Sequence, residues 1–105
     1  MPTPAYIIAQ INVKDYPQYM DQYGRPTLAL GSSHGGEFLV ASATGETLEG
    51  EWSGNWTVVA RFPSKESARG FYDDPAYAPL RQARVNDLTN GGNVVLVEGF
   101  KPLAS

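Results

Sequence analysis

Between Trp56 and Val85 the chain runs WTVVARFPSKESARGFYDDPAYAPLRQARV, and few architectures accept that order. Trp56 to Phe62 is dense in β-branched and aromatic residues and stops at Pro63, which has no amide to extend a ladder, so the segment reads as a strand. Ser64 then offers a side-chain oxygen to the free amides of a first helical turn, and Glu66 lies near the positive end of its dipole. Ala68, Phe71 and Tyr72 follow at spacings of three and four, one buried stripe, before Asp73-Asp74-Pro75 interrupts the run. Asp74 is the expected N-cap of a second helix, with Pro75 in the first position, where no amide is needed. Tyr77, Leu80, Arg84 and Leu88 continue at helical spacing.

The flanking segments complete the pattern. Ala5, Ile7, Ala9, Ile11 and Val13 alternate with Tyr6, Ile8, Gln10 and Asn12, which predicts a first strand with one wholly apolar face. Asp15 and Gln18 have the spacing of a capping box, and Pro17 is tolerated in a first turn. Tyr16, Tyr19, Met20, Tyr23, Thr27 and Leu30 then share a helical face, with Gly24 and Pro26 predicted to bend it. The run Gly31-Ser32-Ser33-His34-Gly35-Gly36 ends that helix and leads into a short strand, Glu37 to Ser42. Residues 43–55 are long for a hairpin and are expected to form a protruding arm, a usual place for dimer contacts or a ligand lid. Asn90-Gly91-Gly92 reads as a turn, Asn93 to Phe100 as the last strand, and residues 101–105 as a tail.

The order strand, helix, strand, strand, helix, strand, joined by right-handed crossovers, predicts an α+β, ferredoxin-like βαββαβ domain over residues 1–100. Its four-stranded antiparallel sheet runs fourth, first, third, second (4132). Helices on one face leave the other to be buried by a second copy, and a chain of 105 residues gains from such pairing, so a homodimer is expected. A net charge of −3 with eight scattered Lys and Arg argues against a nucleic-acid partner. No apolar run has the length of a membrane span, and MPTPAYIIAQINV lacks the basic start of a signal peptide. The absence of cysteine removes disulfides, thiolate metal sites and cysteine nucleophiles, and fits a cytoplasmic protein.

The segments AYIIAQINVKDYPQY, GGEFLVAS, LEGEW, VVARFPSKESARGFYDDPAYAPLRQAR and NVVLVEG resemble, in order and spacing, the domain-of-unknown-function family DUF1330, with FPS, FYDDPAY and LVEG the most specific pieces. That family is similar in turn to the dimeric α/β-barrel superfamily, whose members pair two ferredoxin-like sheets. The resemblance implies the fold and the dimer. Among the wider relatives it implies are cofactor-free monooxygenases, lactone isomerases, dehalogenating and haem-degrading enzymes, and stress-response proteins, so it leaves the reaction open.

The topology brings Tyr6, Glu37, Arg61 and Glu98 to one end of the sheet, with His34 in the adjoining turn. A histidine beside carboxylates and a guanidinium is a plausible set for proton exchange and anion anchoring, His34 being the candidate catalytic group and the other four a candidate ligand-binding set. The competing reading makes Arg61 and Glu98 a structural ion pair, Tyr6 a core or interface residue and His34 a solvated loop residue. His34 and Glu37 are too few to ligate a metal, so neither metal nor cofactor is expected. Ser32 and Ser33 lack a nucleophile elbow, and Gly35-Gly36 and Gly91-Gly92 do not open a helix as a phosphate loop does. Glu46, Glu49 and Glu51 with Trp52 and Trp56 are expected to form an acidic, aromatic patch, better suited to an interface than to a cation site. Tyr16, Tyr19 and Tyr23 are expected to pack with their hydroxyls at the edge.

The functional expectation is a small homodimer binding an anionic or aromatic metabolite between sheet and helices. The alternatives are a cofactor-free monooxygenase or isomerase, and a non-catalytic stress or interaction protein.

Overall fold

The computed structural model describes residues 3–100; the expected tail at 101–105 and the first two residues lie outside them. Strand β1 (Ala5–Val13) is followed by helix α1 (Tyr16–Tyr19), a π-helical segment (Met20–Gly24) and helix α2 (Arg25–Ser33). Strands β2 (Glu37–Ser42) and β3 (Trp56–Phe62) come next, then helices α3 (Lys65–Tyr72) and α4 (Tyr77–Ala83), a second π segment (Arg84–Leu88) and strand β4 (Thr89–Glu98). The sheet is antiparallel in the order β2-β3-β1-β4. This is the ferredoxin-like α+β fold that the alternation of elements predicts.

Local chemistry starts the helices where the sequence places them. The Asp15 carboxylate accepts from the Gln18 amide at 3.0 Å, and Ser64 Oγ accepts from the Ser67 amide at 3.1 Å, each satisfying a donor that a first turn leaves free. Asp74 accepts from the Ala76 amide at 2.8 Å, but it is not the N-cap the sequence predicts: Pro75 and Ala76 stay in a turn, and regular helix begins at Tyr77 with Ala76 in the cap position and no side-chain cap. The first helix does not break at Gly24 and Pro26. It widens into π turns and then tightens again, so the chain stays helical from Tyr16 to Ser33.

The expected turn at Asn90-Gly91-Gly92 is instead the first part of β4. The second π segment delivers the chain directly into the ladder, where the register between β1 and β4 shifts between Ile11 and Val13. Two glycines make that bulge possible. Gly91 has φ of +99°, and a Cβ on Gly92 would come within 2.7 Å of the Gln10 carbonyl oxygen.

One face of the sheet carries Ala5, Ile7, Ile11, Val13, Ala60 and Phe62, all buried against Tyr19, Tyr23, Ala68, Phe71, Tyr77 and Leu88 from the helical layer. The other face carries Ile8, Val40, Val59, Val95 and Val97, brought side by side by the strand register. Val40, Val95 and Val97 on that face are 39, 48 and 39% exposed. The arm at residues 43–55 leaves β2 and is tied back to β1 by Asn55. Its side chain accepts from the Val13 amide at 2.8 Å and donates to the Val13 carbonyl at 3.0 Å.

Candidate functional site

The strand register decides which of the predicted residues meet. Tyr6 lies opposite Arg61, and Arg61 opposite Glu37, so these three form a row across the open face at one end of the sheet. Glu98 lies opposite Ala5, whose side chain is buried beneath the helices. It therefore belongs to the other face and does not join the row, since neighbouring positions on a strand point to opposite sides. Among the described residues, Arg61 makes no ion pair with Glu98 or Glu37.

His34 is drawn away from that row as well. It closes the C-terminus of α2, and its Nε2 lies 2.8 Å from Asp74 Oδ2, with its ring edge-on to Phe71. The pair ties the end of α2 to the turn before α4. The Ala76 amide and then His34 hold the Asp74 carboxyl below its ordinary range. The expected acidic, aromatic patch is also divided. Trp56 packs on the helical side at 5.6 Å from the Tyr16 ring, while Trp52 is exposed on the arm beside Val40 and Thr57.

An apolar cavity, open at one rim, lies elsewhere, between the sheet and the helices. A cavity of about 110 Å³ has Ile7, Ala9, Val58 and Ala60 as its floor. Met20, Tyr23 and Gly24 of the first π segment and Thr27 of α2 form one wall, and Phe71, Tyr72 and Tyr77 another. Arg61 does not line it. The widened turns contribute directly: a π segment inserts an extra residue per turn, and here the segments hold Tyr23 and Arg84.

Tyr19 and Tyr23 lie inside the layer rather than at its edge, whereas Tyr16 keeps its hydroxyl at the edge as expected, donating to the Asn55 carbonyl at 2.8 Å. Tyr19, Tyr23 and Tyr77 are buried, and the Tyr23 and Tyr77 hydroxyls share a hydrogen bond of 2.5 Å across 54 residues of sequence. Arg84 is 7% exposed with its Cζ 5.7 Å from the Tyr23 ring centroid, and among the described residues no carboxylate pairs with it. Burial opposes its charge, but the phenol oxygens of Tyr23 and Tyr77 more than offset that, and the guanidinium stays charged. Burial also raises the Tyr19 and Tyr23 phenols well above their ordinary value. The phenols are therefore neutral hydrogen-bonding groups at neutral pH and not bases. Sequence reasoning grouped Tyr16, Tyr19 and Tyr23 on one helical face and Tyr77 and Arg84 on another, but spacing along a helix cannot say which face it meets.

Two buried side-chain atoms find no partner among the described residues: Thr27 Oγ1 and Arg84 Nε. Among the same residues, no three His, Asp or Glu side chains gather closely enough to share a metal ion. No helix among the described residues is long and apolar enough to cross a membrane.

Comparison with known proteins agrees with this fold. The family model described as a domain of unknown function (DUF1330) matches residues 4–100. No curated protein matches the chain. A protein of unknown function from Rhodopseudomonas palustris superposes with a TM-score of 0.73 at 16% identity, covering 97% of this chain and 86% of that one. SnoaB, a cofactor-independent oxygenase from Streptomyces nogalater, superposes with a TM-score of 0.66 at 14% identity over 98% of this chain and 99% of that one. A dimeric ferredoxin-like protein of unknown function from Thermobifida fusca gives 0.52 at 15% identity over 94% and 93%.

Proposed function

This chain belongs to the DUF1330 family of domains of unknown function, and on that footing we propose that it is a homodimer that binds a small, largely apolar ring compound between sheet and helices. The observation that carries the reading is the cavity itself, an apolar space of about 110 Å³ walled by Tyr23, Phe71, Tyr72 and Tyr77. An apolar cavity of roughly 150 Å³ in another protein stays dry and takes up benzene, so a space of this order suits a single ring. The pairing of two copies rests on Val40, Val95 and Val97, an exposed apolar strip on the face that the helices leave bare. In that pairing Tyr6, Glu37 and Arg61 are interface residues at one end of the strip, in place of the metabolite-anchoring role first expected of them.

Binding is favoured over a cofactor-free monooxygenase or isomerase. Those reactions begin by removing a proton from the substrate, and the titratable groups that line the cavity are phenols, two of which burial raises well above their ordinary value. His34, the candidate base, is engaged by Asp74 and does not line the cavity.

The test is calorimetric and thermal titration with toluene, set beside Ala41→Trp. Ala41 is exposed and lines the cavity, so the added ring fills the space from its rim while leaving the core intact. Saturable binding that raises the melting temperature, and that Ala41→Trp removes, is the expected result; a ligand at a hundredfold excess over its Kd stabilises by about 2.7 kcal/mol. Absence of binding by the parent, or equal binding by a folded Ala41→Trp variant, refutes the proposal.

A further inference from the structure

The strand register lays three rows across the open face of the sheet. Val40, Val59, Ile8 and Val95 lie opposite one another through all four strands and make up the middle row. On one side of it run Glu37, Arg61, Tyr6 and Val97, and on the other Ser42, Thr57, Gln10 and Asn93. Arg61 is exposed and, among the described residues, makes no ion pair. At the far corner of the same face, Ser42 and Thr57 join the arm in lining a groove of about 460 Å³. Glu46, Glu49 and Trp52 of the arm line it too, and among the described residues neither glutamate pairs with a cation.

From this we propose that the groove is the seat of Arg61 from a second copy, so that the arm of each chain clasps the sheet of the other. The inference rests on the homodimer reading above and adds the orientation of the pair and the residues that set it. In a twofold dimer the same patch serves on both sides. Two sheets packed face to face are related by an axis lying between them, directed either across the strands or along them. An axis across the strands, following the row of Val40, Val59, Ile8 and Val95, lays that row on its own copy and buries it. It also reverses the strand direction, which carries the Arg61 row over the Ser42 and Thr57 row of the second copy. The guanidinium of each chain then arrives at the groove of the other.

Charge decides between the two axes. An axis along the strands would gather the glutamates of both arms at one end of the dimer and both Arg61 side chains at the other, each charge among its like. The axis across the strands gives every one of them an opposite partner. Side chains of two facing sheets interdigitate, so an arginine rising from one face reaches groups on the other. The planar guanidinium suits the site, since its fork of donors matches carboxylate oxygens and its flat surface stacks on an indole. Arginine and tryptophan are also the residue types that most often carry the energy of an interface. Within a single chain the groove has the carboxylates and the ring but lacks the cation, and the second copy supplies it.

Charge reversal on each side of the clasp, followed by mixing, tests it. Arg61→Glu and Glu46→Lys/Glu49→Lys change only exposed positions, so both variants are expected to keep the helical signal of the parent. Sedimentation equilibrium is expected to show each variant alone dimerising at least about tenfold more weakly than the parent, because like charges now meet in both clasps. Mixed in equal amounts, the two variants are expected to form a heterodimer with a dissociation constant within about threefold of the parent's, since each clasp again joins opposite charges. Native mass spectrometry identifies that heterodimer by mass. A variant that dimerises alone as tightly as the parent, or a mixture that dimerises no better than its components, overturns the clasp and leaves the pairing of the sheets in place. A parent that stays monomeric overturns the two together.

Discussion

Tyr23 and Tyr77 share a hydrogen bond of 2.5 Å inside the helical layer, at 9 and 2% exposure, so each hydroxyl depends on the other. Removing one by substitution to phenylalanine keeps the ring packing and strands the partner. A stranded buried hydroxyl costs about 1–3 kcal/mol, whereas removing both members of a pair together is close to neutral. The two single variants are therefore each expected to lose about 2 kcal/mol, and Tyr23→Phe/Tyr77→Phe to lose clearly less than their sum. The two losses are also unequal. Arg84 lies beside the pair and has only hydrogens to give, so a lone phenol oxygen has a donor nearby while a lone O–H has no acceptor. The variant that loses the acceptor is the less stable, and the comparison assigns the direction of the bond. Urea unfolding followed by tyrosine and tryptophan fluorescence measures all three. With a slope of roughly 1–3 kcal/mol per M, a 2 kcal/mol loss lowers the midpoint by about 1 M. If the single losses add in the double variant to within about 0.3 kcal/mol, the hydroxyls are not coupled and the reasoning fails.

Two other expectations follow from the rest of the molecule. Val95→Asp puts a charge in the middle of the bare sheet face without touching the core, since Val95 is 48% exposed; sedimentation is expected to change from dimer to monomer with little loss of helical signal, and a monomeric parent would refute the pairing. The Asp74 carboxyl is held below its ordinary value by the Ala76 amide and His34, so its contribution is present above the usual carboxylate range and is lost as pH falls through the lowered value. Asp74→Asn is accordingly expected to flatten the fall in melting temperature on acidification, and an acid limb as steep as the parent's would show that the turn carries no charge dependence.

Much of the fold could be read from local chemistry. Asp15 and Ser64 each cap through an amide three residues on, and β1 hides the apolar half of its alternation. The same alternation runs through β3, where Trp56, Val58, Ala60 and Phe62 take one face and Thr57, Val59 and Arg61 the other. Arg61 is thereby committed to the side away from the helices, and nearness to one end of the sheet was not enough to group it with Glu98. Asn90-Gly91-Gly92 has a turn's composition, but glycine permits a bulge as readily as a turn, and which one forms depends on how closely β1 approaches. The pairings His34–Asp74 and Tyr23–Tyr77 span 40 and 54 residues and have no local signature.

The two faces of the sheet carry opposite problems. The open face exposes a valine strip to water, which association of two copies would relieve. The covered face leaves a cavity that its side chains do not fill, even though Tyr19, Tyr23, Phe71 and Tyr77 are among the largest residues available to fill it. The widened turns around Tyr23 and Arg84 offer a physical reason. Inserting a residue into a helical turn swings its neighbours off the regular 100° spacing, so the ridge of side chains no longer seats evenly on the strands below. A core of this kind gives up contacts that close packing would supply, and Thr27 Oγ1 and Arg84 Nε find no partner within the helical layer among the described residues. Straightening the first segment into regular helix, by deleting one residue from Met20–Gly24, would be expected to close the space and reseat Thr27, trading the ring site for stability.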